Sequence, residues 1–228
     1  MLGYPMKLIF ANRNYSSWSL RPWLVLRHFD IAFDEEQVLL SGEGWRETLR
    51  KKSPTGKVPV LVDGDLAIPE SLAIIEYLND KYPAKGIWPS NRLERARARA
   101  AATEMHGGFP VLRKLAPMNL RASHPGKIDI DAVAAELRRL EQIWGELTDR
   151  SGGPYLFGNF GGADAMFAPM ATRIRTYDLP VSDAAAEYVE AIYALPAFQE
   201  WLALAIKEPW TVDDDEIDII QARAAATR

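Results

Sequence analysis

Residues 57–78 read KVPVLVDGDLAIPESLAIIEYL. Two short apolar runs flank Asp63-Gly64, the dipeptide that best suits the two-residue turn of a β-hairpin. Past Pro69 the pattern changes period, and Ile74, Ile75, Leu78 and Tyr82 fall on one side of a helix over 70–82. A hairpin that runs straight into a helix points to a mixed α/β unit, and the residues before it continue the pattern. MKLIFA (6–11) is a short apolar strand, and WSLRPWLVLRHF (18–29) is a helix with Trp23, Leu24, Leu26 and Arg27 at helical spacing. AFDEEQVLL (32–40) reads as a second, exposed strand, and GWRETLRKK (44–52) as a short basic helix. The predicted order is β-α-β-α-β-β-α.

PAKGIWPSN (83–91) is rich in Pro and Gly and reads as a linker. Beyond it the signals are helical. A first helix covers 91–106, with Arg92, Arg95 and Arg99 on one face as a dimer-facing or solvated stripe. Over 129–150, Ile130, Val133, Leu137, Leu140, Trp144 and Leu147 step by three and four. GGADAMFAPMATRIRTY (161–177) is nearly apolar in its middle and predicts a buried central helix, bent at Pro169. Two short helices follow at 183–194 and 196–206, and residues 212–228 form an acidic tail that covers the surface or frays. The division is therefore an α/β domain over 5–84 and an all-α domain over 91–228.

Composition narrows the function classes. The net charge of −4 argues against a nucleic-acid surface. No apolar run approaches the ~20 residues that span a bilayer, and the N-terminus lacks a signal-peptide pattern. The chain contains no Cys, which removes disulfides, thiolate metal sites and a Cys nucleophile, and makes the cytoplasm the simplest setting. His28, His106 and His124 are scattered singly, so no metal site is expected.

Chemistry concentrates in two places. Val58-Pro59 opens a strand at a turn, where a cis peptide would be retained and the Val58 backbone groups would face a peptide ligand. Glu70-Ser71 then starts a helix. Ser71 offers a hydroxyl and free N–H groups to a carboxylate, and Glu70 accepts from an ammonium, which together suit the end of an α-amino acid. The other place is NRNYSSWSLRPWL (12–24), where a strand, a polar turn and a helix start carry Ser16 and Ser17. With no base nearby in sequence, neither hydroxyl is a strong nucleophile.

NRNYSSWSLRPWL, SPTGKVPVLVDGDLAIPESLAIIEYL and FGGADAMFAPM resemble the cytosolic glutathione transferases, over essentially the whole chain. The resemblance implies a thioredoxin-like N-terminal domain that binds glutathione, an all-helical C-terminal domain that helps form the second-substrate site, and a homodimer. The motif around Ser16 is most similar to the serine-type zeta class, which includes maleylacetoacetate isomerase. There the first serine of the pair is catalytic, a role that falls on Ser16, with Ser17 as the substitute. Trp18 stands where that class usually has Cys, and Pro22-Trp23 follow Arg21, so the rim is bulkier.

By the same resemblance Ser16 donates to the glutathione sulfur. Lys57, with Lys51 and Lys52 behind it, meets the glycyl carboxylate, while Val58, Pro59, Glu70 and Ser71 hold the peptide. Trp18, Met105, Phe109, Met118 and Tyr177 line an apolar second-substrate pocket. Asp164, with Gly161 in place of the family's hydroxyl residue, caps the central helix in a folding role. The zeta-class arginine that meets substrate carboxylates aligns with Thr176, and Arg173 and Arg175 are expected in structural ion pairs. The leading function is glutathione conjugation to small apolar electrophiles. The alternatives are a glutathione-dependent cis–trans isomerase and a glutathione-fold ligand carrier.

Overall fold

The computed structural model describes residues 5–42 and 44–226. The N-terminal part is a four-stranded mixed sheet in the order β2-β1-β3-β4. β1 (Met6–Phe10) pairs in parallel with β2 (Phe33–Gln37) and antiparallel with β3 (Val60–Asp63). β3 turns at Asp63-Gly64 into β4 (Leu66–Pro69), with Val60 opposite Pro69 and Asp63 opposite Leu66. Alternation along β1 separates two apolar layers. Leu8 and Phe10 join Leu20, Trp23, Leu24, Ile74, Ile75 and Leu78 of α1 (Ser17–His28) and α3 (Ser71–Lys81). Ile9 points the other way, to Val38, Val60 and Leu49 of α2 (Trp45–Lys52).

The rest of the described chain is helical: α4 (Arg92–Gly107), α5 (Pro110–Leu115), α6 (Ile130–Ser151), α7 (Gly162–Tyr177), α8 (Asp183–Ala194), α9 (Pro196–Lys207) and α10 (Ile217–Ala226). α5 is too short to show a period in the sequence. α7 is the central helix, buried at every residue except Arg175, and packs on α1, α4 and α8. Its start is set by Asp164, which accepts the N–H groups of Gly161 (3.0 Å) and Leu156 (3.0 Å) and the Tyr188 hydroxyl (3.1 Å). Burial pushes the Asp164 carboxyl up to about 6. Glycine at 161 has a steric reason: a Cβ there would lie 2.9 Å from the Ile87 carbonyl oxygen.

Two surface expectations are narrowed. Arg99 pairs with Glu76 of α3 through both carboxylate oxygens (2.9 and 2.6 Å), and Arg95 donates to the Pro89 and Ser90 carbonyls. The arginine stripe is thus largely spent within the chain, and Arg92 alone of the three makes no such contact among the described residues. The acidic tail does not fray over its described part. It forms a turn at 213–215 and then α10, with Val212 and Ile217 buried, Glu216 accepting from Tyr15 and Asn119, and Asp218 paired with Lys127. Residues 227 and 228 of that tail lie outside the described residues. No single described helix is long and apolar enough to cross a membrane.

Candidate active site

Residues 11–16 link β1 to α1 and are buried throughout. The Asn12 carbonyl accepts the N–H groups of Tyr15 (3.2 Å) and Ser16 (2.8 Å), and its side-chain oxygen accepts from Leu40 N–H (2.8 Å). These bonds close the loop and bring Ser16 to the N-cap position of α1. Its hydroxyl does not cap the helix. Ser16 Oγ donates to Ser19 Oγ at 2.7 Å, and Ser19 Oγ also accepts the Ala11 N–H at 3.2 Å. Ser17, equally buried at 8% exposure, has no hydrogen bond from its hydroxyl among the described residues. Ser19 escaped the sequence reading, although a hydroxyl three residues on from Ser16 in a helix was visible there. Tyr15 is occupied elsewhere: its hydroxyl donates to Glu216 and accepts from Arg121 Nη2 (2.8 Å). Burial and Glu216 raise its pKa, so it resists ionisation.

The second cluster lies at the start of α3. The Val58–Pro59 bond is cis, as the sequence suggests, and Pro59 is buried just before the β3 ladder begins. Ser71 is fully buried as the first residue of α3, with its hydroxyl 4.0 Å from Met166 Sδ, a weak contact. Glu70 precedes it with φ +72° and ψ 126°. A non-glycine residue held there costs about 1–3 kcal/mol, which surrounding structure must offset. The Glu70 carboxylate is half exposed and sits 3.9 Å from His106 Nε2 at the end of α4. Lys57 is exposed and makes no ion pair among the described residues. Its backbone is fixed by Ser53, which accepts its N–H (3.1 Å) and donates to its carbonyl (2.6 Å). Lys51 and Lys52 are already paired with Glu47 and Glu36.

Around Trp18 the structure departs from the expected apolar lining. The Arg21 guanidinium stacks 3.9 Å from the Trp18 ring, Arg113 lies 5.3 Å from it, and the His106 ring meets it edge-on at 5.2 Å. Arg21 is fully buried; its Nε donates to the Met166 carbonyl (2.9 Å), and both terminal nitrogens lack partners among the described residues. Burial, then the charges of Arg173 and Arg113, hold its pKa well below the usual arginine value. Met105, Phe109, Met118 and Tyr177 are core residues at 0, 5, 1 and 1% exposure, and Tyr177 donates to the Pro117 carbonyl. Trp18 alone of the expected lining keeps open surface. Helical periodicity shows which residues face inward, not whether they face a cavity or a core.

Arg173 corrects a further expectation. Arg175 forms the structural ion pair, with Glu190, and stacks on Tyr193 at 3.5 Å. Arg173 has none among the described residues. It is 4% exposed, donates to the Pro169 carbonyl (2.8 Å), and leaves Nε unpartnered. Burial lowers it to about 10, while Asp215, itself pushed up to about 6 by burial, faces it from the C-terminal turn. The two arginines lie on different faces of α7, as their spacing requires. No cluster of three or more His, Asp or Glu side chains able to hold a metal occurs among the described residues.

A thioredoxin-like sheet domain, a helical domain and a hydroxyl at the head of α1 define the class. Residues 15–81 match the glutathione S-transferase N-terminal domain, and residues 130–204 match its C-terminal domain. The chain belongs to the glutathione S-transferase family, a family of enzymes, and its relatives lie near the zeta class. It is 26% identical over 204 residues to a protein of Vibrio cholerae described as a probable maleylacetoacetate isomerase, covering 86% of this chain and 95% of that one. It is 48% identical over 91 residues to glutathione S-transferase Z2 of Arabidopsis thaliana, 40% of either chain. Among solved structures, a glutathione transferase homologue from Burkholderia GL BGR1 with bound glutathione superposes with a TM-score of 0.68. It shares 26% identity, over 89% of this chain and 98% of that one.

Proposed function

We propose that this protein binds glutathione between the β1–α1 loop and the start of α3, activates its thiol through the Ser16 hydroxyl, and conjugates it to a small electrophile. The observation that carries the reading is the Ser16–Ser19–Ala11 chain at the head of α1. A hydroxyl both donates and accepts. When a thiolate takes the Ser16 proton as a hydrogen bond, Ser19 turns round, keeps the Ala11 N–H and donates to Ser16 Oγ. Ser16 is then aimed and supported by a backbone group.

A free thiol has a pKa near 8.5, so only a few per cent ionises at pH 7, and each unit of lowering needs about 1.4 kcal/mol. One charge-assisted donor and the positive end of α1 supply that order of energy. Glu70 accepts from the γ-glutamyl ammonium, Ser71 and the α3 N-terminus take its carboxylate, and Lys57 meets the glycyl carboxylate. Val58 and Pro59 border the peptide between them. Residues 5–84 thus hold glutathione, and residues 91–228 close the electrophile's side. The thiolate attacks the electrophilic carbon and the leaving group departs with its electron pair. We place the protein in the cytoplasm as a homodimer, on family membership. Light scattering at micromolar concentration should give twice the chain mass of 25.6 kDa; particles of one chain mass would refute the dimer.

One observation favours a second reading. The guanidinium groups of Arg21 and Arg113 lie against Trp18, with the charge of Arg173 acting on Arg21, where an apolar electrophile has no use for them. They suit an electrophile bearing carboxylates, and with it isomerisation. In that reaction the thiolate adds to a conjugated cis double bond, the resulting single bond rotates, and thiolate leaves to give the trans isomer and unchanged glutathione. A panel of haloaromatics against maleylacetoacetate analogues separates the two. Turnover of neither, with glutathione bound but its thiol unionised at pH 7, would point to ligand carriage.

A further inference from the structure

Glu208 follows α9 and lies beyond the stretch that matches the family's C-terminal domain. It is 6% exposed, and its two carboxylate oxygens accept consecutive backbone N–H groups of the β1–α1 loop: Arg13 at 3.0 Å and Asn14 at 3.3 Å. The Gln37 amide donates to the same carboxylate, and the Arg13 guanidinium, which also pairs with Glu35, lies 3.8 Å from it. Around this contact the Trp201 indole N–H donates to the Arg13 carbonyl (3.0 Å), and Arg121 donates to the Glu208 carbonyl. Tyr15, the next loop residue, is held by Glu216. A carboxylate removed from water is costly unless its oxygens are satisfied. Here the satisfaction comes from the loop that ends in Ser16.

We propose that Glu208 is a positioning residue for the thiol-activating serine. By gripping two successive backbone N–H groups it fixes the path of residues 13–15, and so where Ser16 Oγ points when glutathione binds. The inference rests on the Ser16 reading above. Asn12 anchors the loop from the sheet side, but its bonds go to Tyr15, Ser16 and Leu40 and leave the Arg13 and Asn14 N–H groups to Glu208. A misplacement of about 1 Å in a reacting group can reduce a rate by roughly 100-fold.

The test is Glu208→Gln in the full chain, with Ser16→Ala and the double variant, each assayed with one good electrophile. Gln keeps the size and one acceptor, but turns an NH2 group toward a loop N–H. The expected result is a fall in kcat of roughly 10- to 100-fold with KM for glutathione within about twofold, a kcat-only pattern. The acid limb of the pH–rate profile should move to higher pH. Because Glu208 acts through Ser16, the double variant should be no slower than Ser16→Ala alone. Glu208→Asp, which keeps the charge and shortens the reach, should fall in between; it also serves if Gln fails to fold by circular dichroism. Multiplicative losses in the double variant, or an unmoved pH profile in both Glu208 variants, would overturn the proposal. If Ser16→Ala itself leaves the profile unmoved, the serine reading falls and Glu208 has nothing to position.

Discussion

Replacing Ser16 by Ala tests the chemistry at one atom. The fold should lose little. Ser19 Oγ keeps the Ala11 N–H, so no buried backbone donor is orphaned, and one hydroxyl–hydroxyl bond is lost, worth about 1 kcal/mol. The activated state should lose more. A donor aimed at developing negative charge is worth about 2–4 kcal/mol, which corresponds to a rate loss of about 30- to 900-fold. Glutathione affinity should stay nearly intact, since other groups hold the peptide. The apparent pKa for activity should rise toward the free thiol's value of about 8.5. Ser17→Ala should change stability by less than about 0.5 kcal/mol, because its hydroxyl bonds to nothing in the described chain. Ser19→Ala strands the buried Ala11 N–H, costing about 1–3 kcal/mol of stability, and should shift the pH profile in the same direction as Ser16→Ala by a smaller amount. The assay is kcat/KM against pH for wild type and the three variants, beside thermal melting. A larger pKa rise in Ser17→Ala would assign the thiol contact to Ser17. No rise in either Ser16 or Ser17 variant would reduce the pair to loop structure.

Two more predictions follow from backbone and burial. Glu70→Gly should relieve the positive-φ strain and leave the melting temperature no lower than wild type, while glutathione affinity drops in calorimetry; Ser71→Ala should weaken affinity by about 1–3 kcal/mol. Unchanged affinity in both would remove the start of α3 from the glutathione site. The Asp164 carboxyl is pushed from 3.8 up to about 6 in the folded chain, so the fold binds this proton more tightly than the unfolded chain does. Stability should therefore decline as pH rises from about 4 to 6 and level off above, with a contribution of about 3 kcal/mol from this group. The cleanest window is 4.5 to 6, because Glu36 and Glu104, held low by Lys52 and Arg139, lose their ion pairs only below it. Asp215, also raised to about 6 by burial, adds a slope of the same sign, so urea midpoints across that window should depend less steeply on pH in Asp164→Asn than in wild type, and an unchanged slope would sink the assignment.

Secondary structure was legible where one physical signal dominated. The Asp-Gly turn fixed the hairpin, and the three-and-four spacing in 129–150 fixed α6, because local backbone preference and burial agreed there. For the candidate thiol and glutathione residues what was legible was position: Ser16 and Ser71 stand at helix starts, which a sequence advertises through the residues that precede them. The lining of the second pocket was not. Met105 and Tyr177 are inward-facing by helical periodicity and Met118 lies in a loop, and only packing decides that all three fill the core. Arg173 and Arg21 are equally opaque: a lone arginine on an apolar helix gives no sign that it will be buried without an ion pair. Glu208 sits in LysGluProTrp, a stretch with no period at all, and its partners are separated from it by 195 and 194 residues.

Those long separations share one logic, visible also at Met166. This α7 residue presents its carbonyl to Arg21 of α1 and its sulfur to Ser71 of α3, so a single turn of the central helix touches both elements that carry candidate site residues. The position of α7 is in turn fixed by contacts a larger residue would break. Gly162 N–H donates to the Ile87 carbonyl at 2.8 Å, and a Cβ on Gly162 would come within 2.8 Å of the Trp88 ring. Any shift of α7 along its axis must therefore move the Arg21 anchor and the Ser71 neighbour together. The α/β domain carries Ser16 and the strained Glu70, and helical-domain groups bear on it: Met166 touches α1 and α3, while Glu208 and Glu216 hold the β1–α1 loop. The start of α1 and the start of α3 are consequently coupled through helical-domain groups, and a substitution at Gly162 should disturb thiol activation and peptide binding at once.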